Sequence, residues 1–204
     1  MRGTKDPDRA AIVDLAPDLV VANQEENRRL DVDRLRAAGV PVWVTVIESV
    51  NDALRSMGRL FVDVLDVGVP NWLGTAAAEW SRPAPTPELR VVVPIWRDPW
   101  MVIGSRTFTG DLLSRLGLIN VFGASAERYP RVEIEQMQAA GADLALLPDE
   151  PYPFTADDGP EAFPGLRTVL VSGRGLTWYG PSLATARADV LTQIHGDAWT
   201  SETA

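Results

Sequence analysis

Acidic side chains stand in pairs in two loops of this chain, and carboxylate pairs are the simplest chemistry that its sequence could support. Glu25 and Glu26 form one pair, and Asp149 and Glu150 form the other. Paired carboxylates can transfer protons or hold a divalent cation such as Mg²⁺. The spacing does not require such a site, because acidic residues also begin helices, where the helix dipole favours them.

Aromatic residues in other loops favour the binding of a flat ligand instead. Trp96, Arg97 and Trp100 directly follow an apolar run that is typical of a buried strand. Indole rings and guanidinium groups stack on flat conjugated molecules. The alternative is that both tryptophans cover the core while Arg97 pairs with Asp98. Later loops carry the remaining candidates for ligand contact, namely Tyr129, Glu150, Tyr152, Trp178 and Tyr179.

Other catalytic groups are scarce in the sequence. It has no cysteine, which excludes disulfides, thiolate nucleophiles and zinc–thiolate sites. The one histidine, His195, lies near the carboxyl terminus and is expected to be a helix-end residue. A transition-metal site made by the protein is therefore not expected. Gly173-Arg-Gly175 matches no nucleotide-binding fingerprint.

The chain repeats one arrangement of elements, which predicts two similar α/β lobes that position these loops. In residues 9–46 and again in 132–172, a helical run precedes an apolar strand that opens with Asp-Leu, and an acidic loop and a second apolar strand follow. Because ligands usually sit in clefts between lobes, we expect a binding site where the lobes meet. Asn23, Gln24 and Glu25 should form the rim opposite the aromatic loops.

Periodicity and proline positions predict how the lobes follow one another. Residues 28–38 form an amphipathic pattern that predicts a helix with Leu30, Leu35 and Ala38 facing inward, ended by Gly39. Ser49 is expected to cap a helix over residues 49–60. Three prolines in residues 81–87 are the strongest boundary signal. The predicted organisation is a truncated N-terminal lobe at 1–67, a backbone helix with a proline-rich linker at 68–87, and a C-terminal lobe at 88–204.

The two copies differ in what precedes them, so the first lobe is predicted to be incomplete. A strand, a long loop and a helix, roughly fifty residues, precede the Asp143 strand, whereas only seventeen residues precede Asp18. The missing strand would leave an unpaired sheet edge, which would invite self-association.

Composition limits the partners and the location. The 204 residues carry a formal net charge of -9 at pH 7 without a local cluster of basic residues, which disfavours nucleic-acid binding. No apolar stretch approaches the roughly twenty residues of a membrane span, and the first eight residues lack the apolar core of a signal peptide. The chain as written is therefore expected in the cytoplasm.

Several short segments, in their order and spacing, resemble the class III substrate-binding proteins of ABC importers. These receptors have a helical backbone and capture cobalamin and ferric siderophores, and the resemblance covers nearly the whole chain. The segments are Gly-Thr-Lys-Asp-Pro-Asp at 3–8, Ala-Pro-Asp-Leu-Val-Val-Ala at 16–22 with Glu26-Asn27 following, Ala-Ala-Gly-Val-Pro-Val at 37–42, Gly-Asp-Leu-Leu at 110–113, Gly-Leu-Ile-Asn-Val-Phe at 117–122 and Tyr-Pro-Arg-Val at 129–132.

The resemblance implies two Rossmann-like lobes, joined by a helical connection, that hold a ligand and deliver it to a membrane permease. In the cobalamin receptor an aromatic residue of each lobe flanks the corrin. Trp178 and Tyr129 match such places in the second lobe, while Asn23 stands where the first lobe would carry one. The family docks through one acidic residue per lobe, and the nearest positions are Arg29 and Gly180, which are not acidic.

The resemblance also bears on the start of the chain and on its cofactors. Family members carry a signal, usually with a lipid anchor, and further elements before the Gly-Thr-Lys region. Met1 falls where a core residue is expected, so we expect the true start to lie upstream. A signal there would place the protein outside the cytoplasm, anchored to the membrane. No cofactor is expected, although the ligand can itself carry iron or cobalt.

Three functional hypotheses follow. The first is a receptor that captures a ferric siderophore, haem or a cobalamin-like chelate without catalysis. The second is an α/β enzyme that uses Glu25, Glu26, Asp149 and Glu150 with Mg²⁺. The third is a truncated fragment that folds but neither binds nor catalyses.

Overall fold

Alternating helices and strands fill residues 2–196, the part of the chain that this computed structural model describes. The predicted mixed α/β class is confirmed. Contacts divide the chain into two compact units, residues 1–47 and 48–204. The lobe boundaries predicted at 67/68 and 87/88 stay a prediction, as does the expectation for Met1, which lies outside the described residues. No helix within residues 2–196 is long and apolar enough to cross a membrane.

The first unit contains a two-stranded parallel sheet with two helices. Its strands pair in register, Val20 opposite Val42 and Asn23 opposite Thr45. The elements are α1 (Arg9–Asp14), β1 (Val20–Asn23), α2 (Arg29–Ala37) and β2 (Val42–Thr45).

The helix α2 contributes Val32 and Leu35 to the core of the first unit. Leu30, by contrast, is 57% exposed, and Ala38 is exposed as well, so the prediction that both face inward is wrong. Two positions along an α-helix are about 200° apart, which places Leu30 on the face opposite Val32.

The second unit is built on a four-stranded parallel sheet in the order β6-β3-β7-β8. The apolar run before Trp96 was predicted to be a buried strand, and β3 indeed lies between β6 and β7 with Val91 and Val92 fully buried. The strands of this unit are β3 (Leu89–Val92), β4 (Pro94–Trp96), β5 (Met101–Val102), β6 (Leu118–Asn120), β7 (Leu144–Pro148) and β8 (Arg167–Val171). β4 and β5 form a small antiparallel pair.

Helices in the second unit begin where the sequence provides capping side chains. Ser49 accepts a hydrogen bond from the Asp52 N–H at 3.0 Å and caps α3, as the sequence predicted. The helices are α3 (Val50–Arg59), which continues into a π-helical turn at Leu60–Val64, α4 (Asn71–Trp80), α5 (Phe108–Arg115), α6 (Ile134–Ala139), α7 (Gly173–Thr177) and α8 (Ala186–His195), with 3-10 turns at Pro160–Ala162 and Pro181–Ala184.

Two hydrogen bonds, one buried and one partly buried, attach α4 and the proline-rich linker to the C-terminal part of the second unit. The Trp80 indole N–H donates to the carbonyl of Leu183 at 2.8 Å, and Arg187 donates to the carbonyl of Pro83 at 3.0 Å. Trp80 is only 2% exposed. Because a buried donor without an acceptor is costly, these contacts hold the linker against the sheet-bearing region.

Candidate functional site

The carboxyl ends of the four parallel strands in the second unit bring most of the candidate residues to one edge of the sheet. In open α/β sheets, ligands bind at this edge, at the point where the chain switches direction across the sheet. The chain runs from β3 outward to β6 and then returns to β7 on the other side, so this point lies between β3 and β7. We call the loops that follow β3, β6, β7 and β8 the carboxyl-edge loops. They carry Trp96, Arg97, Trp100, Tyr129, Glu150, Tyr152, Trp178 and Tyr179.

Trp100 belongs to an aromatic cluster that joins the loops after β3 and β7. Its ring stacks on Phe154, with centroids 5.9 Å apart and planes 8° apart, and meets the edge of Phe163 at 5.9 Å. Phe154 and Phe163 are buried and belong to the core beside Val92. Trp100 therefore covers the core, which agrees with the alternative weighed for it in the sequence.

Trp96 lies at the exposed side of the same cluster. Its ring meets the edge of Tyr152 at 5.8 Å, and Tyr152 in turn contacts Phe154 at 4.7 Å. Trp96 remains 44% exposed. An indole that is fixed by a neighbouring ring yet faces water is a rigid apolar platform, at which a stacked ligand would bury surface at little entropic cost.

Arg97 is held by carboxylates from the loop after β7. Its guanidinium donates hydrogen bonds to Asp158 and Glu161 and lies 5.3 Å from the centre of the Trp100 ring. The Tyr152 hydroxyl donates to the second oxygen of Asp158 at 2.7 Å. The Arg97 guanidinium is therefore already bound to carboxylates of the protein. It holds the loop after β3, which carries Trp100, against the loop after β7, which carries Tyr152.

The ion pairs of Arg97 shift the pKa values of their partners. The hydrogen bond from Arg97 lowers the pKa of Glu161, and the hydrogen bond to Glu161 raises the pKa of Arg97. The bond to the Asp158 carboxylate raises the pKa of Tyr152, because ionising the phenol would place two negative charges together. Tyr152 therefore stays protonated at neutral pH.

A second exposed indole follows β8. Trp178 directly follows α7 and is 50% exposed, and the Arg174 guanidinium lies 5.2 Å from its ring centre. Tyr179 turns inward and meets the edge of Phe108 at 5.6 Å. Of the two aromatic candidates in this loop, Trp178 thus presents its ring to solvent, whereas Tyr179 packs on α5.

Tyr129 lies in a segment that runs beside β5. The N–H groups of Val102 and Gly104 donate to the carbonyls of Pro130 and Arg128 at 3.1 and 2.8 Å, on either side of Tyr129. Tyr129 is half-buried. These backbone bonds fix the segment after β6 against the small β4–β5 pair.

The acidic residues after β7 are held against the start of α7. Asp149 accepts a hydrogen bond from the Gly173 N–H at 2.6 Å, and Glu150 is half-buried. A Cβ on Gly173 would stand 2.6 Å from the Glu150 carbonyl oxygen, so glycine allows the two loops to approach this closely.

The candidate loop of the first unit is closed by its own hydrogen bonds. The Asn23 side chain donates to the Thr45 hydroxyl at 3.0 Å and accepts from the Glu25 N–H at 2.8 Å. Lys5 donates to the carbonyl of Glu25, while Gln24 is exposed. Asn23 therefore stabilises a turn at the carboxyl end of β1, and Gln24 offers its amide to solvent.

The four carboxylates of the enzyme hypothesis do not form a cation site. No group of three or more histidine, cysteine, aspartate or glutamate side chains within residues 2–196 is arranged to hold a metal ion. Glu26 interacts with Thr4 at 3.2 Å and with Lys5 at 3.8 Å. Asp149 accepts the Gly173 hydrogen bond described above. Each of these two carboxylates thus has a local structural partner.

Several residues of the carboxyl edge were not found from the sequence. Asp158, Glu161 and Phe163 lie late in the loop after β7, where no motif marks them, and only the folded chain brings them to Arg97 and Trp100. Arg174 had a local signal, because it precedes Trp178 by four residues, the spacing at which helical side chains meet.

Comparisons with known proteins find the same fold in periplasmic binding proteins. No protein-family model matches the chain. A curated protein from Vibrio parahaemolyticus, named vitamin B12-binding protein, is 24% identical over 131 residues, which cover 62% of this chain and 48% of that protein. The chain thus spans about half of the length of this curated relative.

Solved structures share the fold over most of the chain. The periplasmic vitamin B12-binding protein of Vibrio cholerae superposes with a TM-score of 0.72 and 15% identity, covering 94% of this chain and 79% of that one. A periplasmic haem-binding protein from Roseiflexus gives a TM-score of 0.68 with 21% identity, covering 91% and 78%. One from Pseudomonas aeruginosa gives 0.69 with 21% identity, covering 93% and 76%. The chain therefore has the α/β fold of the periplasmic proteins that bind vitamin B12 and haem.

Proposed function

We propose that this chain is a solute receptor of an ABC importer that captures a metal chelate. The chelate is a ferric siderophore, haem or a cobalamin-like molecule. In this proposal Trp96 and Trp178 contact the ligand directly. Binding and release suffice for this role, so no catalytic residue is assigned.

The observation that carries the proposal is the pair of half-exposed indoles at the carboxyl edge of the sheet. Trp96 follows β3 and Trp178 follows β8, which are two strand spacings apart in the sheet, about 10 Å. A tetrapyrrole-sized chelate can span that distance. Indoles in water are costly, and a flat ligand that covers both would remove apolar surface from water at each.

The network beneath the indoles supports a binding role because it is already satisfied. Arg97, Asp158 and Glu161 pair with one another, and the Tyr152 hydroxyl is bonded to Asp158. Such a network holds the wall of a site rigid before the ligand arrives, which reduces the entropic cost of binding.

The importer role extends the proposal to location and partner. The structures with this fold are named as periplasmic, which supports a location outside the cytoplasm. We propose that an ABC permease receives the ligand. The positions nearest to the docking acids implied by the resemblance are Arg29 and Gly180, so docking would use other residues.

Titration of the tryptophan fluorescence tests the proposed function. The probes are cyanocobalamin, haemin and a ferric hydroxamate siderophore, each of which absorbs visible light and quenches a neighbouring indole. We expect saturable quenching by at least one of them. Trp96→Ala and Trp178→Ala should each weaken its binding by at least about tenfold, since each removes one stacking surface.

The matched control is Ile119→Ala. It removes another exposed apolar side chain of the second unit, but from the middle of β6 and not from a carboxyl-edge loop. Its affinity should equal that of the unaltered protein. Absence of saturable quenching with all three probes would contradict the receptor assignment, and so would equal losses in Ile119→Ala and the two tryptophan variants.

A further inference from the structure

Arg174 and Trp178 form an exposed cation–aromatic pair at the β8 end of the carboxyl edge. Arg174 lies in the single turn of α7, and its guanidinium carbon stands 5.2 Å from the centre of the indole. Both side chains are exposed. A guanidinium held on an aromatic face keeps its charge and most of its N–H donors directed toward the surroundings.

Other arginines of this edge form ion pairs with carboxylates, whereas Arg174 does not within the described part of the chain. Arg97 is held by Asp158 and Glu161, and Arg128 donates to the Glu48 carboxylate. Within residues 2–196, the contact of the Arg174 guanidinium is with the indole and with no carboxylate. It is therefore poised to meet an anion from outside the chain.

The neighbouring loop restricts where such an anion can lie. The loop after β7 carries no basic residue. It carries five acidic residues, namely Asp149, Glu150, Asp157, Asp158 and Glu161. An anionic group near this loop would be repelled. Asp149 of this loop already accepts the Gly173 N–H at the start of α7. The attractive position is therefore on the Trp178 side of Arg174, where the guanidinium can donate paired hydrogen bonds to a carboxylate or a phosphate.

We propose that Arg174 is a specificity-determining residue that binds a carboxylate or phosphate at the periphery of a chelate stacked on Trp178. This inference rests on the proposed receptor function and adds the chemical class of the ligand: a flat chelate with an anionic group at one edge. A carboxylate-bearing macrocycle such as haem and a phosphate-bearing corrinoid such as cobalamin both satisfy it.

The test compares pairs of probes that differ in the anionic group. Haemin is paired with its dimethyl ester, which lacks the free carboxylates, and cyanocobalamin is paired with dicyanocobinamide, which lacks the nucleotide loop together with its phosphate. Each is titrated against the unaltered protein, Arg174→Gln and Arg174→Lys. Arg90→Gln is the matched control, because Arg90 is an exposed arginine in β3, whose side chain bonds to Gly141 at the other end of the sheet.

Arg174→Gln should weaken binding of the anionic member of the pair that the protein accepts by about tenfold, or about 1.4 kcal/mol. The uncharged member should bind both proteins equally. Arg174→Lys should keep part of the affinity. The difference in affinity between the anionic probe and its uncharged partner should shrink as the salt concentration is raised. The responding pair identifies the group as a carboxylate or a phosphate.

Two results would overturn the inference in different ways. If Arg174→Gln weakens both members of a pair equally, or neither, the assignment of Arg174 fails while the receptor function stands. If none of the four probes binds the unaltered protein, the receptor function fails and the role of Arg174 fails with it.

Discussion

Replacing Gly173 with alanine tests how closely the loops after β7 and β8 must pack to form the carboxyl edge. Gly173 begins α7, and its N–H donates to Asp149 at 2.6 Å. An added Cβ would stand 2.5 Å from the Glu150 Cγ, 2.6 Å from its carbonyl oxygen and 2.8 Å from its nitrogen. Two of these three atoms belong to the backbone, so a change of side-chain rotamer cannot relieve the overlap.

The expected cost follows from the size of the overlap. Ordinary contact begins at 3.4 Å, so the Glu150 carbonyl must recede by about 0.8 Å. Overpacking of this kind costs about 1–3 kcal/mol of unfolding free energy, and the reduced entropy of the unfolded chain returns about 0.4–1 kcal/mol. We therefore expect Gly173→Ala to lower the free energy of unfolding by about 1–2 kcal/mol.

Urea unfolding followed by tryptophan fluorescence measures this loss. The midpoint should fall at an unchanged slope, since the surface exposed on unfolding is the same. Gly180→Ala is the control in the same loop, because a Cβ there meets no atom within 4 Å. If Gly173→Ala is as stable as Gly180→Ala, the close approach of the two loops is wrong.

Three further predictions concern the buried and charged contacts of the second unit. Trp80→Phe should cost about 1–3 kcal/mol in urea unfolding, because it leaves a buried carbonyl without its donor, and an unchanged midpoint would contradict that bond. Asp158→Asn should lower the Tyr152 phenol pKa toward its ordinary 10.0, measured by ultraviolet absorbance with Tyr152→Phe as the reference, and an unchanged pKa would exclude the carboxylate as its cause. Because Arg97 lowers the Glu161 pKa below 4.5, this ion pair stabilises the fold above that pH and loses its effect as the pH falls through the lowered pKa. The difference in unfolding free energy between Glu161→Gln and the unaltered protein should therefore shrink as the pH falls from about 6 to about 3. The change should be small since the pair is partly exposed, and a constant difference would refute the pairing.

Local patterns were enough to predict most of the elements. The Ser49 cap of α3, the end of α2 before Gly39 and the buried strand around Val91 all appear in the structure. These features depend on residues within a few positions of one another. The inward placement of Leu30 failed because the face that a short helix buries depends on what it packs against.

The sequence predicted where the candidate residues lie relative to the strands, but not their contacts with one another. The position of the aromatic residues after successive strands placed them correctly at one edge of the sheet. Arg97 was weighed as a ligand contact or as a partner of Asp98, whereas its partners are Asp158 and Glu161, more than sixty positions later. The roles of the aromatic residues and of Arg97 as ligand contacts stay a prediction, which the titrations described above would test.

By itself, the sequence determined the alternation of helices and parallel strands, the repeated unit and the abundance of aromatic residues in the loops. Each of these follows from spacing along the chain, which side-chain periodicity and capping translate directly into local structure. Only the tertiary structure decided that Trp100 covers the core, that Trp96 and Trp178 face solvent, and that the Arg174 guanidinium meets an indole and forms no ion pair within residues 2–196. The reason is that burial and pairing depend on contacts between loops whose distance along the chain carries no signal of their distance in space.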